Sequence, residues 1–355
     1  MGIRRLLRDR LRRRSAPGAL DLSTPWTIAH DPTATQEDIF YAFRLLLGRS
    51  PNREEWRGHS GNAGRDLDSV VRSYLTSLEF SRRENALLGA RLTEGLTLKK
   101  MKDFSMYASE NDAAVGMHIL EDSYEPHVTS VFRARLRPGM HVVDVGANIG
   151  YFTMLSASLV GPSGSVTAVE PNAECVKVLE ASRRANSFDQ VTVLQVAAGR
   201  APGLLVLNPS YSNAMTSAAP DEVSALLRSI TVPSFRIDDL IPRDRAIDFV
   251  KIDVEGAEYN ALLGASEMLR RCHPTVVSEF SPDMMPGISG IDGPGYLRFL
   301  LDFGYRMSVI ELAGELTDCG GDVEKVMNAY RSSGVDHIDL LFDRPLGRRA
   351  YCEAT

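Results

Sequence analysis

The run Val142-Val143-Asp144-Val145-Gly146-Ala147-Asn148-Ile149-Gly150-Tyr151-Phe152 constrains this chain more than any other stretch of it. A short apolar strand, a tight turn with two glycines and an apolar helix form the opening of a βα unit, and a parallel partner strand can follow only after such a crossover. The turn therefore lies at the carboxyl end of a strand, where open α/β sheets bind ligands beside a helix N-terminus. Gly146 and Gly150 lack a Cβ and permit a close backbone approach. A dinucleotide loop would read GxGxxG; here Asp144 stands in place of the first glycine, so no pyrophosphate cradle is indicated.

The alternation continues downstream. Residues 151–159 read as an apolar helix stopped by Gly161-Pro162, 166–169 as a second strand, 172–186 as an amphipathic helix and 191–196 as a third strand. Strands are expected at 234–237, 249–254 and 275–280, with helices at 262–271 and 294–303. Strands near 305–310 and 337–342 would close the sheet as an antiparallel hairpin at its edge. The expected fold class is α/β: a doubly wound, mostly parallel, seven-stranded, Rossmann-like sheet over residues 96–350, preceded by a small all-α module at 33–95 and a basic segment with linker at 1–32.

In the module, residues 38–47 form a helical pattern ending at Gly48, Pro51 blocks an immediate restart, and 67–78 places Leu67, Val70, Val71, Tyr74, Leu75 and Leu78 on one face. The stretch Leu46-Leu47-Gly48-Arg49-Ser50-Pro51 with Ser77-Leu78-Glu79-Phe80 resembles a small helical module attached in bacteria to enzymes of surface-glycan and exported-protein pathways. At the start of the chain, residues 1–14 hold seven arginines and one Asp, with Ile3, Leu6, Leu7 and Leu11 at helical spacing. That pattern suits either a solvated terminus or a peripheral contact with an anionic membrane surface. The chain as a whole has a net charge of −6, so the rest of it is strongly acidic, which argues against nucleic acid as its partner. Cys175, Cys272, Cys319 and Cys352 form no CxxC pair and read as free thiols of a reducing compartment, and no apolar run reaches a membrane span, so a cytoplasmic location is expected.

Two further constellations carry chemistry. Glu170 follows Gly150 by 20 residues, at the end of the second strand in Val169-Glu170-Pro171-Asn172. A carboxylate there can accept both hydroxyls of a ribose, or serve as a helix N-terminal acid. Lys251-Ile252-Asp253-Val254-Glu255-Gly256-Ala257-Glu258 places Asp253 and Glu255 at the mouth of the fourth core strand. An interior lysine needs a carboxylate partner, for which Asp144 and Glu279 are the candidates.

These motifs, with Tyr124-Glu125-Pro126, Pro138-Gly139 and Asp238-Asp239-Leu240, resemble the FkbM family of S-adenosylmethionine-dependent methyltransferases over residues 112–280. The resemblance implies methylation of a hydroxyl in a polyketide, sugar or cell-surface glycan. It also implies Asp144, Gly146, Asn148 and Gly150 as cofactor-loop residues, Glu170 as ribose ligand and Asp253 beside the transferable methyl. It implies a lid role for residues 124–126, which could equally be a loop packed on the sheet. One departure is that Gln195-Val196-Ala197-Ala198 offers no Asp for the adenine amino group. Asp253 or Glu255 is the expected base for the acceptor hydroxyl, ahead of His118 and His127. A divalent metal held by Asp253, Glu255, Glu279 and Asp238 is the less favoured route, since Asp238 also suits a cap for the turn before Leu240. The Gly-rich run 287–294 either shapes the acceptor pocket or is a connection. A nicotinamide enzyme and a catalytically silent binding module remain as rival readings.

Overall fold

The structure is a computed structural model that describes residues 32–77, 79–80, 95–210, 213–220 and 222–344. The basic run 1–14, the linker after it and Cys352 lie outside the described residues. The chain divides into two compact units, Met1–Glu84 and Asn85–Thr355.

The first unit contains helices Gln36–Leu46, Arg53–His59 and Leu67–Leu75. Thr35 and Asn52 each cap a helix in a reciprocal box, with Asp38 and Glu55 as the acidic partners. The middle helix was not expected, because Trp56 is its one large apolar residue and it has no apolar stripe. Ile39, Phe43, Val70 and Tyr74 form the core, whereas Leu75, expected on the buried face, is exposed. Arg49 explains the Leu-Gly-Arg sequence: its guanidinium bonds both Glu55 and Glu79 and lies 5.4 Å from the centre of the Phe43 ring.

The strands of the second unit are β1 (Leu96–Lys100), β2 (Ser105–Ser109), β3 (His141–Val145), β4 (Ser165–Val169), β5 (Val191–Leu194), β6 (Ala197–Ala198), β7 (Gly203–Ser210), β8 (Asn213–Ala218), β9 (Ile230–Phe235), β10 (Phe249–Ile252), β11 (Thr275–Phe280), β12 (Arg306–Ile310), β13 (Leu316–Gly320) and β14 (Ile338–Asp343). The central sheet runs β13-β12-β14-β11-β10-β3-β4-β5, parallel from β11 to β5. It is wound on both faces. Val142 packs in one apolar cluster with Phe132, Phe152 and Leu155, while its neighbours Val143 and Val145 pack in another with Ile252, Leu262 and Leu300.

Four expectations need correction. Among the described residues the sheet has eight strands rather than seven, because β13 extends the edge beyond β12. The pair β12 and β14 is antiparallel but no hairpin: β13 and helix Val323–Ser333 intervene, and the apolar run of β14 is buried between β11 and β12. The strand expected at 234–237 is β9, which belongs to a separate sheet of order β6-β9-β7-β8. Its antiparallel neighbour β7, which forms a hairpin with β8, contains Pro209, a residue that argues against a strand when only sequence is read. The helix expected at 262–271 is two helices, Glu258–Leu263 and Ser266–Cys272, broken at Gly264, where a Cβ would fall 2.1 Å from the Gly199 carbonyl oxygen. Among the described residues no helix is long and apolar enough to cross a membrane.

Candidate active site

A cleft of about 410 Å³ opens at the carboxyl ends of β3, β4 and β10. Gly146, Asn148, Glu170, Ala197 and Ala198 line one part of it; Glu125, Asp253, Glu255, Glu279 and His337 line the other.

The turn after β3 is held by the protein itself. Gly146 and Ala147 donate their N–H groups to the Val169 carbonyl at 2.9 and 3.2 Å. Gly146 has φ +77°, and a Cβ there would lie 1.7 Å from the Asp253 carbonyl oxygen, so the turns after β3 and β10 touch. Gly150, expected at the cofactor, does not line the cleft; its missing Cβ makes room for Leu179 at 2.7 Å. Asp144 is likewise fully buried behind the turn. Its Oδ2 accepts from the Thr153 hydroxyl at 2.5 Å, its Oδ1 has no hydrogen-bond partner, and burial raises its pKa against the opposing pull of Lys251. Its place is that of a helix anchor rather than a cleft wall. Asn148, at φ +52°, donates its backbone N–H to Glu170 Oε2 at 2.8 Å, and Glu170 Oε1 accepts from Asn172 N at 2.7 Å. Burial pushes the Glu170 carboxyl up to about 7 against these two bonds. Asn172, not Glu170, provides the N-cap of helix Ala173–Ala185.

At the mouth of β10, Lys251 pairs with Asp253 at 2.7 Å rather than with Asp144 or Glu279. The reason is strand geometry: residues two apart share a face. Lys251 is 4% exposed and its ammonium lies 4.8 Å from the centre of the Phe152 ring. Burial works against its charge, but Asp253, Glu125 and Asp144 together outweigh it and raise its pKa. Glu255 adopts a left-handed conformation, φ +53°, followed by Gly256 at +89°. Glu258 holds that turn, accepting from Val254 N at 3.0 Å and Gly256 N at 3.1 Å; it is wholly buried, and burial pushes it up to about 7. Sequence reasoning assigned Glu258 no role, though an acid opening a helix after a glycine turn is a readable sign of a backbone clasp.

Glu125 lines the cleft and burial pushes it, too, up to about 7. The adjoining Tyr124 ring meets Tyr151 edge-on at 5.1 Å, and Pro126 opens helix Pro126–Arg135, so the segment packs on the fold and faces the cleft through Tyr124 and Glu125. His118 lines the cleft; His127 does not, being bound to Asp339 at 2.8 Å, which raises its pKa. Ala197 and Ala198 supply an apolar wall, whereas Gln195, considered for adenine, is exposed away from it. The run 287–294 contributes no lining residue, and Ile288 instead packs where a Gly256 Cβ would be. Asp238 caps helix Ser266–Cys272 through Glu267 N at 3.0 Å and Met268 N at 2.8 Å, not the turn before Leu240. Among the described residues no cluster of three or more His, Cys, Asp or Glu is arranged to hold a metal ion. Asp336 and His337 went unnoticed as site residues, since only the position of β14 inside the sheet brings them to the cleft.

The model of the methyltransferase FkbM domain family matches residues 144–307, which span β3 to β12 and most of the cleft. Residues 144–307 are thus matched to an FkbM methyltransferase domain. Among curated proteins, the chain is similar to protein-L-isoaspartate O-methyltransferase 2 of Archaeoglobus fulgidus, 29% identical over 124 residues, which covers 34% of this chain and 51% of the relative. It is also similar to protein-L-isoaspartate O-methyltransferase of Ignicoccus hospitalis, 34% identical over 109 residues, covering 30% of this chain and 51% of the relative. The chain thus spans about half the length of the curated relatives it matches. A solved FkbM methyltransferase from Methylobacillus flagellatus aligns with 81% of this chain and 64% of its own, at 17% identity and a TM-score of 0.37.

Proposed function

We propose that the chain is an S-adenosylmethionine-dependent O-methyltransferase whose acceptor is a hydroxyl of a sugar or cell-surface glycan precursor. The observation that carries this reading is a single cleft holding the Gly146–Asn148 turn, the buried Glu170 carboxylate and the acidic mouth of β10. Its volume, about 410 Å³, is in the range of small-molecule sites. Its charge fits a ligand that bears a sulfonium and an ammonium. Glu170, raised by burial, gains from the two donors of a ribose diol, and Ala197 and Ala198 offer an apolar face to a base. When bound, the cofactor supplies a methyl group on a good leaving group, so the protein's share is alignment. The Lys251–Asp253 pair fixes one carboxylate beside the Gly146 turn, the place that the family resemblance gives to the methyl.

The names of the curated relatives support methyl transfer to oxygen, and the resemblance of the N-terminal module supports a glycan acceptor. A secondary metabolite or lipid acceptor would use the same cofactor residues. A cytoplasmic enzyme with residues 1–14 on an anionic membrane surface would sit beside membrane-linked precursors.

Calorimetric titration with S-adenosylmethionine and, separately, NAD⁺ tests the cofactor in wild type, Glu170→Ala and Gly146→Val. Binding of S-adenosylmethionine that both substitutions weaken supports the proposal, and S-adenosylhomocysteine release with nucleotide sugars and glycans then identifies the acceptor. Preference for NAD⁺, or no binding, removes the proposal.

A further inference from the structure

We propose that His337 takes the acceptor's proton and that Asp336 positions it for the task; this rests on the hydroxyl-acceptor reading above. Residues 334–337 link helix Val323–Ser333 to β14, and Ile338, the first residue of β14, pairs with Phe280 at the end of β11. Because β14 runs against β11, His337 emerges at the sheet edge where the parallel strands end, and it lines the cleft with Glu255 and Glu279. The link is braced: Gly334 stops the helix at φ +70°, and the Tyr330 hydroxyl lies 2.8 Å from Asp283 Oδ2 and 3.4 Å from the Asp336 carbonyl oxygen. His337 Nδ1 lies 2.9 Å from Asp336 Oδ1. A carboxylate only accepts, so this contact places the ring proton on Nδ1 and leaves the Nε2 lone pair as the basic site.

The acids Asp253, Glu255, Glu125 and Glu279 of the cleft are less suited, Glu255 because burial raises its pKa. Asp253 is engaged by Lys251. Glu125 and Glu279 are pushed up by burial, Glu125 to about 7 and Glu279 well above the ordinary carboxylate range, so near neutrality they tend to carry the proton that a base must accept. A base must also return its proton to solvent in each turnover. The His337 side chain is 48% exposed and that of Asp336 90%, which gives this pair the needed exit. In the step, an oxygen lone pair of the acceptor forms the O–CH₃ bond while the electrons of the S–CH₃ bond leave with sulfur. The hydroxyl proton passes to Nε2 and then to water, so one methyl ether, one thioether and one proton result.

The test measures S-adenosylhomocysteine formed from S-adenosylmethionine with a panel of methyl hexopyranosides, and cofactor affinity on the same samples. His337→Gln should lower kcat about 100-fold or more and Asp336→Asn about 10-fold, with cofactor Kd within about twofold of wild type. Added imidazole should restore part of the rate in His337→Gly. Turnover of His337→Gln within about threefold of wild type, or a loss matched by an equal loss of cofactor affinity, overturns the assignment. Carbethoxylation with diethyl pyrocarbonate, mapped by peptide mass spectrometry, needs no acceptor. A His337 that reacts while S-adenosylmethionine is bound, and whose modification leaves cofactor affinity intact, supports its place on the acceptor side; complete protection by the cofactor overturns it. A wild-type protein that binds cofactor but methylates no glycoside counts against the hydroxyl reading, and the mapping then decides the place of His337.

Discussion

Glu170→Gln separates what the cleft costs the fold from what it offers a ligand. The Glu170 carboxyl has its pKa raised from 4.5 to about 7, first by burial, against the pull of the Asn148 and Asn172 N–H groups. A raised carboxyl pKa gives stability that is fully present below pH 4.5 and is lost as pH rises through about 7. For this buried group the loss amounts to about 3 kcal/mol. Glutamine cannot ionise, so the variant lacks that loss, but its amide turns a donor toward one backbone N–H at a roughly constant cost of about 1–3 kcal/mol. The variant should be the less stable protein at pH 5 and should draw level with wild type, or pass it, at pH 8. For a domain of this size, a swing of about 3 kcal/mol corresponds to about 6–12 °C in the difference between melting temperatures. Differential scanning calorimetry of the ligand-free proteins from pH 5 to 8 reads it directly. Subtracting the two curves removes Glu125 and Glu258, which titrate in both. Cofactor affinity should fall in the same variant by about 10-fold or more, since a ribose diol loses its ionised acceptor. Parallel pH–melting curves for the two proteins would refute the claim that Glu170 is buried at a cost to the fold.

The remaining expectations concern the turn, its anchor and the charge of the cleft. Gly146→Ala combines a left-handed φ with a Cβ 1.7 Å from the Asp253 carbonyl oxygen. It should destabilise the fold by about 3 kcal/mol or more and abolish cofactor binding, as checked by thermal melting and calorimetry. Thr153→Val preserves shape but removes the hydroxyl that Asp144 Oδ2 accepts, leaving a buried carboxylate with no hydrogen-bond donor. Urea unfolding should show a loss of about 2 kcal/mol with an unchanged m-value. Glu125 and Glu170, both near 7, lose protons when a cation settles beside them. S-adenosylmethionine binding at pH 7 should therefore release protons, measurable as a dependence of calorimetric heat on buffer ionisation enthalpy, and uncharged-sulfur S-adenosylhomocysteine should release fewer.

The βα core was legible because its signals are local. Val142 to Phe152 announce strand, turn and helix in eleven consecutive residues, and the periods of residues 166–196 and 275–280 match the strands and helix found there. The parts that were not legible depend on partners distant in sequence. The β7–β8 hairpin hides behind Pro209 and the small polar run of β8, and β14 reads as an edge strand until helix Val323–Ser333 and β13 are seen to lie between it and β12. In the site, Gly146, Asn148, Glu170, Asp253 and Glu255 were all found lining one cleft, since each closes a strand whose end sequence reasoning could place. Asp336 and His337 precede a strand instead, and only the antiparallel course of β14 brings them to the same edge.

The two long motifs also mix two kinds of work that their letters do not distinguish. Asp144, Gly150, Lys251 and Glu258 stand behind the cleft wall: Asp144 holds Thr153, Gly150 admits Leu179, Lys251 holds Asp253 and Glu258 clasps the Val254–Gly256 turn. Gly146, Asn148, Glu170 and Glu255 face the ligand space. A motif position can thus be demanded by the fold while touching nothing that binds, and substitution alone does not reveal which case applies, because both lose activity. The physical distinction is where the loss appears. Replacing Gly150 or Lys251 behind the wall lowers the stability of the ligand-free protein, whereas removing Glu170 relieves a buried charge and weakens binding while the fold above neutral pH holds or gains. Stability and affinity moving in opposite directions is therefore the mark of a residue whose burial serves the ligand, and among the motif acids Glu170 combines a raised pKa with a place on the cleft wall and two backbone donors that hold it there.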